Sequence, residues 1–317
     1  MVFSGIPFLY CFFPGTLLAY FLVPRKLKNA VLFVLSLLFY AWGEPRMVAV
    51  MLGSIVWSYA LALPMERRRN SAAGRLLLVL SVGGSLGCLI FFKYADFLLQ
   101  TLNSLAGLSL PLPGIALPIG ISFYTFQLLS YSVDVYRGEV RAQRSFIDLG
   151  AYIAMFPQLI AGPIVRYADV EQQLRRRTHS VEKTALGIRR FTLGLGKKVL
   201  LANQLALLSA QMSAAQEPSL LSAWLYAAAL VLQIYFDFSG YSDMAIGLGH
   251  IFGFTYLENF HYPLTAASVT DFWRRWHMSL GSWFRDYVYI PLGGNRVRKG
   301  RWLFNIFVVW FLTGLWH

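Results

Sequence analysis

The chain has 317 residues, 57% from the set AVILMFWYC and only 14% charged, with aromatics at 16%. Soluble domains carry about 25% charged residues and roughly 45–50% apolar ones. A water-facing globule cannot hide this much apolar side chain, so disorder, coiled coil, a disulfide scaffold and an ordinary soluble enzyme are excluded. The formal net charge is +13, but its placement points away from nucleic acid. The basic residues come in bursts between apolar runs: Arg25-Lys26-Leu27-Lys28, Arg67 to Arg69, Arg175 to Arg177 and Arg296 to Arg301. Cytoplasmic loops of polytopic membrane proteins have this pattern. Cys11 and Cys88 each sit in an apolar run with no metal-type spacing and read as small buried hydrophobes.

A membrane helix needs about 20 mostly apolar residues. By that measure the expected spans are 3–23, 29–43, 47–64, 75–102, 115–136, 191–211, 220–238, 240–257 and 302–317. The N-terminus lacks a basic leader and a cleavage site, so the first run reads as a retained span. Loops 24–28, 65–75 and 137–144 are basic, while 43–46 and 103–114 are nearly neutral. That alternation predicts an outside N-terminus and five successive crossings.

Segment 146–165 is apolar between basic flanks and contains Pro157, Gly162 and Pro163. It reads either as a re-entrant hairpin or as a kinked span; irregular backbone survives at membrane depth only inside protein or beside water. Residues 166–190 are charged and helix-compatible, as expected of a cytoplasmic surface helix. A turn at Gln216-Glu217-Pro218 lacks basic residues and belongs outside. Gly249 and Gly253 have the spacing of a close helix–helix contact. The last run, Trp302 to His317, makes about 24 Å of helix, short of a full crossing, and so predicts a chain interrupted mid-membrane. The expected architecture is all-α and polytopic, with about nine spans plus re-entrant and interfacial helices. It forms a single domain: N-terminal spans over 1–145, the hairpin and surface helix over 146–190, and a core over 191–317.

Polar groups inside apolar runs mark the places where chemistry or pairing must occur. Tyr124, Gln127, Tyr131 and Asp134 fall on one helical stripe, suited to inter-helix hydrogen bonds. Asp237, Ser239, Tyr241, Ser242 and Asp243 gather at a glycine, as a carboxylate pair, a cation site or the cap of a following helix. The densest stretch runs from Asp271 through Trp273, His277 and Arg285 to Gly294. As a helix it places Trp273, His277 and Gly281 on one face, for function or for an interfacial aromatic belt. His317 ends an apolar run with no carboxylate within a helical turn. An imidazole titrates near neutrality, which suits it to proton transfer.

In this order the motifs Pro118–Gln127, Phe156–Pro163, Tyr235–Tyr241, Asp271-Phe-Trp-Arg-Arg-Trp-His277 and Trp316-His317 resemble the membrane-bound O-acyltransferase family. The likeness is nearest to bacterial members that acetylate an exported polysaccharide such as alginate. The resemblance implies a helical membrane enzyme with a central tunnel, set in the bacterial inner membrane. It would move an acetyl group from a cytoplasmic thioester, such as acetyl-coenzyme A, toward hydroxyls of an exported glycan. It implies His317 as the essential residue and His277 as a second one, supported by Trp273, Arg285, Asp237, Tyr241 and Gln127. No tightly bound cofactor, metal or nucleic acid is implied; the expected partners are membrane lipid and a periplasmic acetyltransferase or polysaccharide export complex. D-alanyl transfer to teichoic acid, and transport of a polysaccharide or lipid-linked sugar, are the competing functions.

Overall fold

The computed structural model describes residues 2–160, 162–214 and 219–317. The Gln216-Glu217-Pro218 turn and Ala161 of the proline–glycine motif lie outside the described residues. Among those described, all regular structure is helical. The helices are α1 (Phe13–Leu22), α2 (Lys28–Gly43), α3 (Val48–Arg67), α4 (Ala72–Ala106), α5 (Ile121–Arg137), α6 (Phe146–Ala154) and α7 (Phe156–Leu159). They continue with α8 (Tyr167–Arg175), α9 (Val181–Gly196), α10 (Asn203–Ser213), α11 (Leu220–Ile251), α12 (Val269–Arg275), α13 (Met278–Phe284) and α14 (Lys299–Trp316).

Among the described residues, four stretches are long and apolar enough to cross a membrane: Arg25–Gly43, Pro45–Arg67, Ala72–Ala106 and Leu220–Ile251. Their outward faces carry Leu38, Trp42, Val56, Leu76 and Val79, all exposed. An apolar exposed face is stable where the solvent is lipid, and helices satisfy their own backbone there. Among the described residues the chain is therefore all-helical, with the apolar spans of a membrane protein.

Two spans expected separately, 220–238 and 240–257, are one helix, α11. Gly240 does not break it. A Cβ at Gly240 would lie 2.8 Å from the carbonyl oxygen of Gly194, and one at Gly194 would lie 2.5 Å from that of Gly240. The glycine serves close approach of α9 and α11, as Gly187 and Gly247 do one turn pair away. Gly249 and Gly253 do not take that role: Gly249 packs on the Tyr256 ring, and Gly253 follows the helix end with φ +85°. The expected surface helix over 166–190 is likewise divided. α8 ends at Arg175, and α9 starts at Val181, where the Ser180 side chain accepts from the backbone N–H of Lys183. A π-helical turn, Lys197–Ala202, then carries α9 directly into α10.

The chain forms two compact units. The first comprises Met1–Leu22, Ala161–Val165 and Asp169–Ser282. Its framework is the α9–α11 crossing with α10 packed beside α11, and Phe8, Phe13 and Phe191 stack against one another on α9. The second comprises Val23–Ile160, Arg166–Ala168 and Trp283–His317. Here α5 packs on α3 and α4 and is buried on nearly every side. Serine hydroxyls bind across that bundle: Ser132 of α5 meets Ser81 of α4 at 2.8 Å. α6 and α7 lie against α2, where Gly150 admits the Phe33 ring and Ser36 accepts from the N–H of Phe156.

Candidate active site

In the first unit the expected site residue His277 follows helix α12. Ser268 caps α12 by accepting from Asp271 N–H, and Arg275 turns back to Asp271 at 2.9 Å. The helix ends at Arg275, because Trp276 is extended (φ −99°, ψ 127°), and His277 follows it at φ +44°. A left-handed residue without glycine is strained, and it persists only when its surroundings over-determine it. Here the N–H of Met278 donates to the Asn259 carbonyl, and that of His261 to the Arg275 carbonyl. The expected single face of Trp273, His277 and Gly281 is therefore not formed. Trp273 is 45% exposed, whereas His277 is 5% exposed. The imidazole lies edge-on to Phe238 at 4.7 Å and stacks over Phe260 at 6.4 Å. Its Nδ1 is 3.1 Å from Asn259 Oδ1.

Asp237 and Tyr241 lie on α11 in the same unit. Asp237 pairs with Lys198 at 2.5 Å, while Asp243 takes Lys197 at 2.6 Å and Arg190 at 2.9 Å. Asp237 thus pairs with one cation and Asp243 with two, so the two carboxylates do not share a partner. Among the described residues no group of three or more histidine, cysteine or acidic side chains could hold a metal ion. Tyr241 stacks on Phe3 at 4.7 Å, and its buried hydroxyl has no hydrogen-bond partner among the described residues.

His317, Gln127 and Arg285 belong to the second unit. The Trp316 ring stands edge-on to Phe126 at 5.2 Å and to Phe123 at 6.1 Å. The Lys93 ammonium lies 5.7 Å from the centre of that ring and donates to the Trp316 carbonyl; Tyr94 donates to the carbonyl of Leu315. His317 Nδ1 is 2.8 Å from the Thr313 carbonyl. A carbonyl only accepts, so Nδ1 carries a proton, and in the neutral ring the lone pair is on Nε2. The ring is exposed. Gln127 is buried, and its Oε1 has no partner among the described residues.

Arg285 is mostly exposed and donates to Asp286 at 2.7 Å, and Arg166 holds the same carboxylate at 2.8 Å. Next to it, the Tyr287 hydroxyl is 2.8 Å from both oxygens of Asp134, which is 1% exposed. The Arg137 and Arg166 guanidiniums lie 5.5 Å and 5.2 Å from the centre of the Tyr287 ring. The sequence reading missed Lys93 and Asn259, and held Tyr287 only as one member of the Asp271–Gly294 stretch. Lys93 carried a signal, since a lone cation inside an apolar run is costly unless paired. Asn259 carried none.

The polar pattern and the two histidine settings can be compared with known proteins. The family model for the membrane-bound O-acyltransferases matches residues 139–317, a stretch that holds both His277 and His317. The chain belongs to the membrane-bound O-acyltransferase family. Membership accords with its apolar helices and makes it a multi-pass membrane protein. A probable alginate O-acetylase of Pseudomonas putida is 46% identical over 323 residues, covering 100% of this chain and 66% of that protein. A peptidoglycan O-acetyltransferase of Helicobacter pylori is 34% identical over 350 residues, again with 100% and 66% covered. A teichoic acid D-alanyltransferase of Bacillus subtilis is 29% identical over 211 residues, covering 63% of this chain and 53% of that protein. The chain thus spans just under two thirds of the length of its Pseudomonas putida and Helicobacter relatives.

Proposed function

We propose that this protein is a membrane O-acyltransferase that moves an acetyl group from a cytoplasmic thioester toward hydroxyls of an exported polysaccharide. The relatives act, by their names, on alginate, peptidoglycan and teichoic acid. The greater identity to the two O-acetylating relatives favours acetyl over D-alanyl transfer. An alginate-like glycan is the proposed acceptor, and acetyl-coenzyme A or a similar thioester the proposed donor. The setting is the bacterial inner membrane, with a periplasmic acetyltransferase or an export complex as partner.

The observation that carries this reading is the His317 ring. Its Nδ1 proton is engaged by the Thr313 carbonyl, so in the neutral ring the lone pair is on Nε2. In the proposed step Nε2 takes the proton of an attacking hydroxyl as the new C–O bond forms at the thioester carbonyl. The C–S bond then breaks, and the imidazolium returns the proton to the departing thiolate. General-base help of this kind is worth roughly 10²–10⁴-fold in rate. His277, against the rings of Phe238 and Phe260, is proposed to orient the reacting groups or bind the donor. Trp273, Arg285, Asp237, Tyr241 and Gln127 are proposed as supporting residues. Arg285 suits an anionic donor because its guanidinium is exposed and always charged.

Mass analysis of exported glycan from cells with and without the gene tests the reading. Acetyl esters present only when the gene is present are expected. D-alanyl esters in their place, or no change, would overturn the acetyl assignment.

A further inference from the structure

Asn259 is 0% exposed and touches His277, Ser279, Ser242 and the backbone of Gly162. The direction of its amide is set by backbone groups that have no choice of role. The N–H of Ser279 can only donate, and it lies 3.3 Å from Oδ1. The Gly162 carbonyl can only accept, and it lies 3.4 Å from Nδ2. Turning the amide over would oppose donor to donor at one end and acceptor to acceptor at the other. Ser279 reinforces the same sense. Its Oγ accepts from the N–H of Ile164 at 2.9 Å and donates to Asn259 Oδ1 at 2.8 Å. Oδ1 therefore faces His277 Nδ1 at 3.1 Å, and an amide oxygen can only accept. The imidazole nitrogen must carry a proton.

We infer that Asn259 is a positioning residue that holds His277 in its Nδ1–H form, with the lone pair on Nε2. The inference rests on the reading of His277 as an active-site residue, and it adds what fixes that residue's chemistry. The imidazole lies against the rings of Phe238 and Phe260. Loss of the amide oxygen would let the ring rotate or exchange its proton between nitrogens. A ring presenting Nε2–H could donate but no longer accept at that position. The left-handed backbone at His277 and the Met278 bond to the Asn259 carbonyl bind the same two segments. Ring and backbone are thus positioned by one residue.

The test is nitrogen NMR of the protein in lipid with ¹⁵N-labelled histidine, with His277 assigned by loss of its signals in His277→Gln. The wild type is expected to show a protonated Nδ1 and a pyridine-type Nε2 at His277. Asn259→Leu is expected to lose that pattern and to lower kcat for acetyl transfer by at least about tenfold, with little change in KM for the donor. Asn259→Asp keeps the acceptor and is expected to restore the Nδ1–H pattern, which a role in packing alone would not require. Should Asn259→Leu not fold, the wild-type spectrum and Asn259→Asp still decide the matter. A wild-type ring protonated at Nε2 alone, or an unchanged spectrum in Asn259→Leu, would overturn the inference. Full transfer by His277→Ala with the Nδ1–H pattern intact in the wild type would instead remove the catalytic reading of His277 and leave the tautomer assignment standing.

Discussion

Gly187 and Gly247 meet backbone to backbone: a Cβ on either would lie 2.6 Å from the other's carbonyl oxygen. With Gly194 and Gly240, two turns along, they let α9 and α11 cross at backbone contact. Gly247→Ala is expected to destabilise the protein by about 1–3 kcal/mol, the usual cost of overfilling a packed contact. Gly83→Ala, in α4, meets nothing within 4 Å and is expected to be neutral. Thermal unfolding in detergent of the two variants, measured side by side, checks the difference.

Tyr287 and Asp134 give a second, independent prediction. Removing the hydroxyl in Tyr287→Phe leaves a buried carboxyl group without its donor, at a cost of about 1–3 kcal/mol. Adding Asp134→Leu to that variant is expected to recover part of the loss, since no polar group is then stranded. A double-mutant cycle in which the two losses simply add would show that the bond at 2.8 Å contributes nothing.

The acid response of the first unit is set in part by Glu258. The hydrogen bond from the Arg190 guanidinium, with the charge of that group, holds its carboxyl below the ordinary 4.5. A depressed folded value means that the pairing stabilises the fold at neutral pH. That contribution is lost as pH falls below about 4.5 through the folded value. Glu258 is half exposed, so water screens the pair and its worth is at most about 1 kcal/mol. Glu258→Gln is expected to be slightly less stable at pH 7, with the gap to wild type closing as pH falls from 7 to below about 4.5. Unfolding curves across that range check the sign; a gap that widens toward acid would contradict it.

These relationships differ in how far they could be read from the chain alone. The stripe Tyr124, Gln127, Tyr131 and Asp134 is buried with most of α5, and the expected hydrogen bonds form at Tyr131 and Asp134 but, among the described residues, not at the Tyr124 hydroxyl or Gln127 Oε1. The role of Gly240 was ambiguous, since one glycine serves equally to end a helix or to admit a neighbour. Only its partner Gly194, on another helix, decides between them. The break at His277 was hidden for a related reason. Trp-Arg-Arg-Trp-His-Met contains no glycine or proline, and the left-handed turn is imposed by bonds to Asn259, which lies 18 residues earlier. Long-range hydrogen bonds leave no periodic trace.

Lys93 tests whether the Trp316–His317 pair is held in place from α4. Its ammonium serves both the Trp316 carbonyl and the face of the Trp316 ring. Lys93→Met keeps the length and apolar character of the side chain and removes both interactions. Transfer is expected to fall about tenfold or more with little change in melting temperature, because misplacing a reacting group costs rate before it costs stability. Equal losses in the two measurements would mark Lys93 as structural only.

The most direct measurement is acetyl transfer from a labelled thioester by lipid vesicles reconstituted with the protein and its partners. Wild type and His317→Ala are compared at equal amounts of folded protein. With His317 Nε2 as the base, the variant is expected to lose roughly 10²–10⁴-fold in kcat. Transfer by His317→Ala at the wild-type rate would contradict the account.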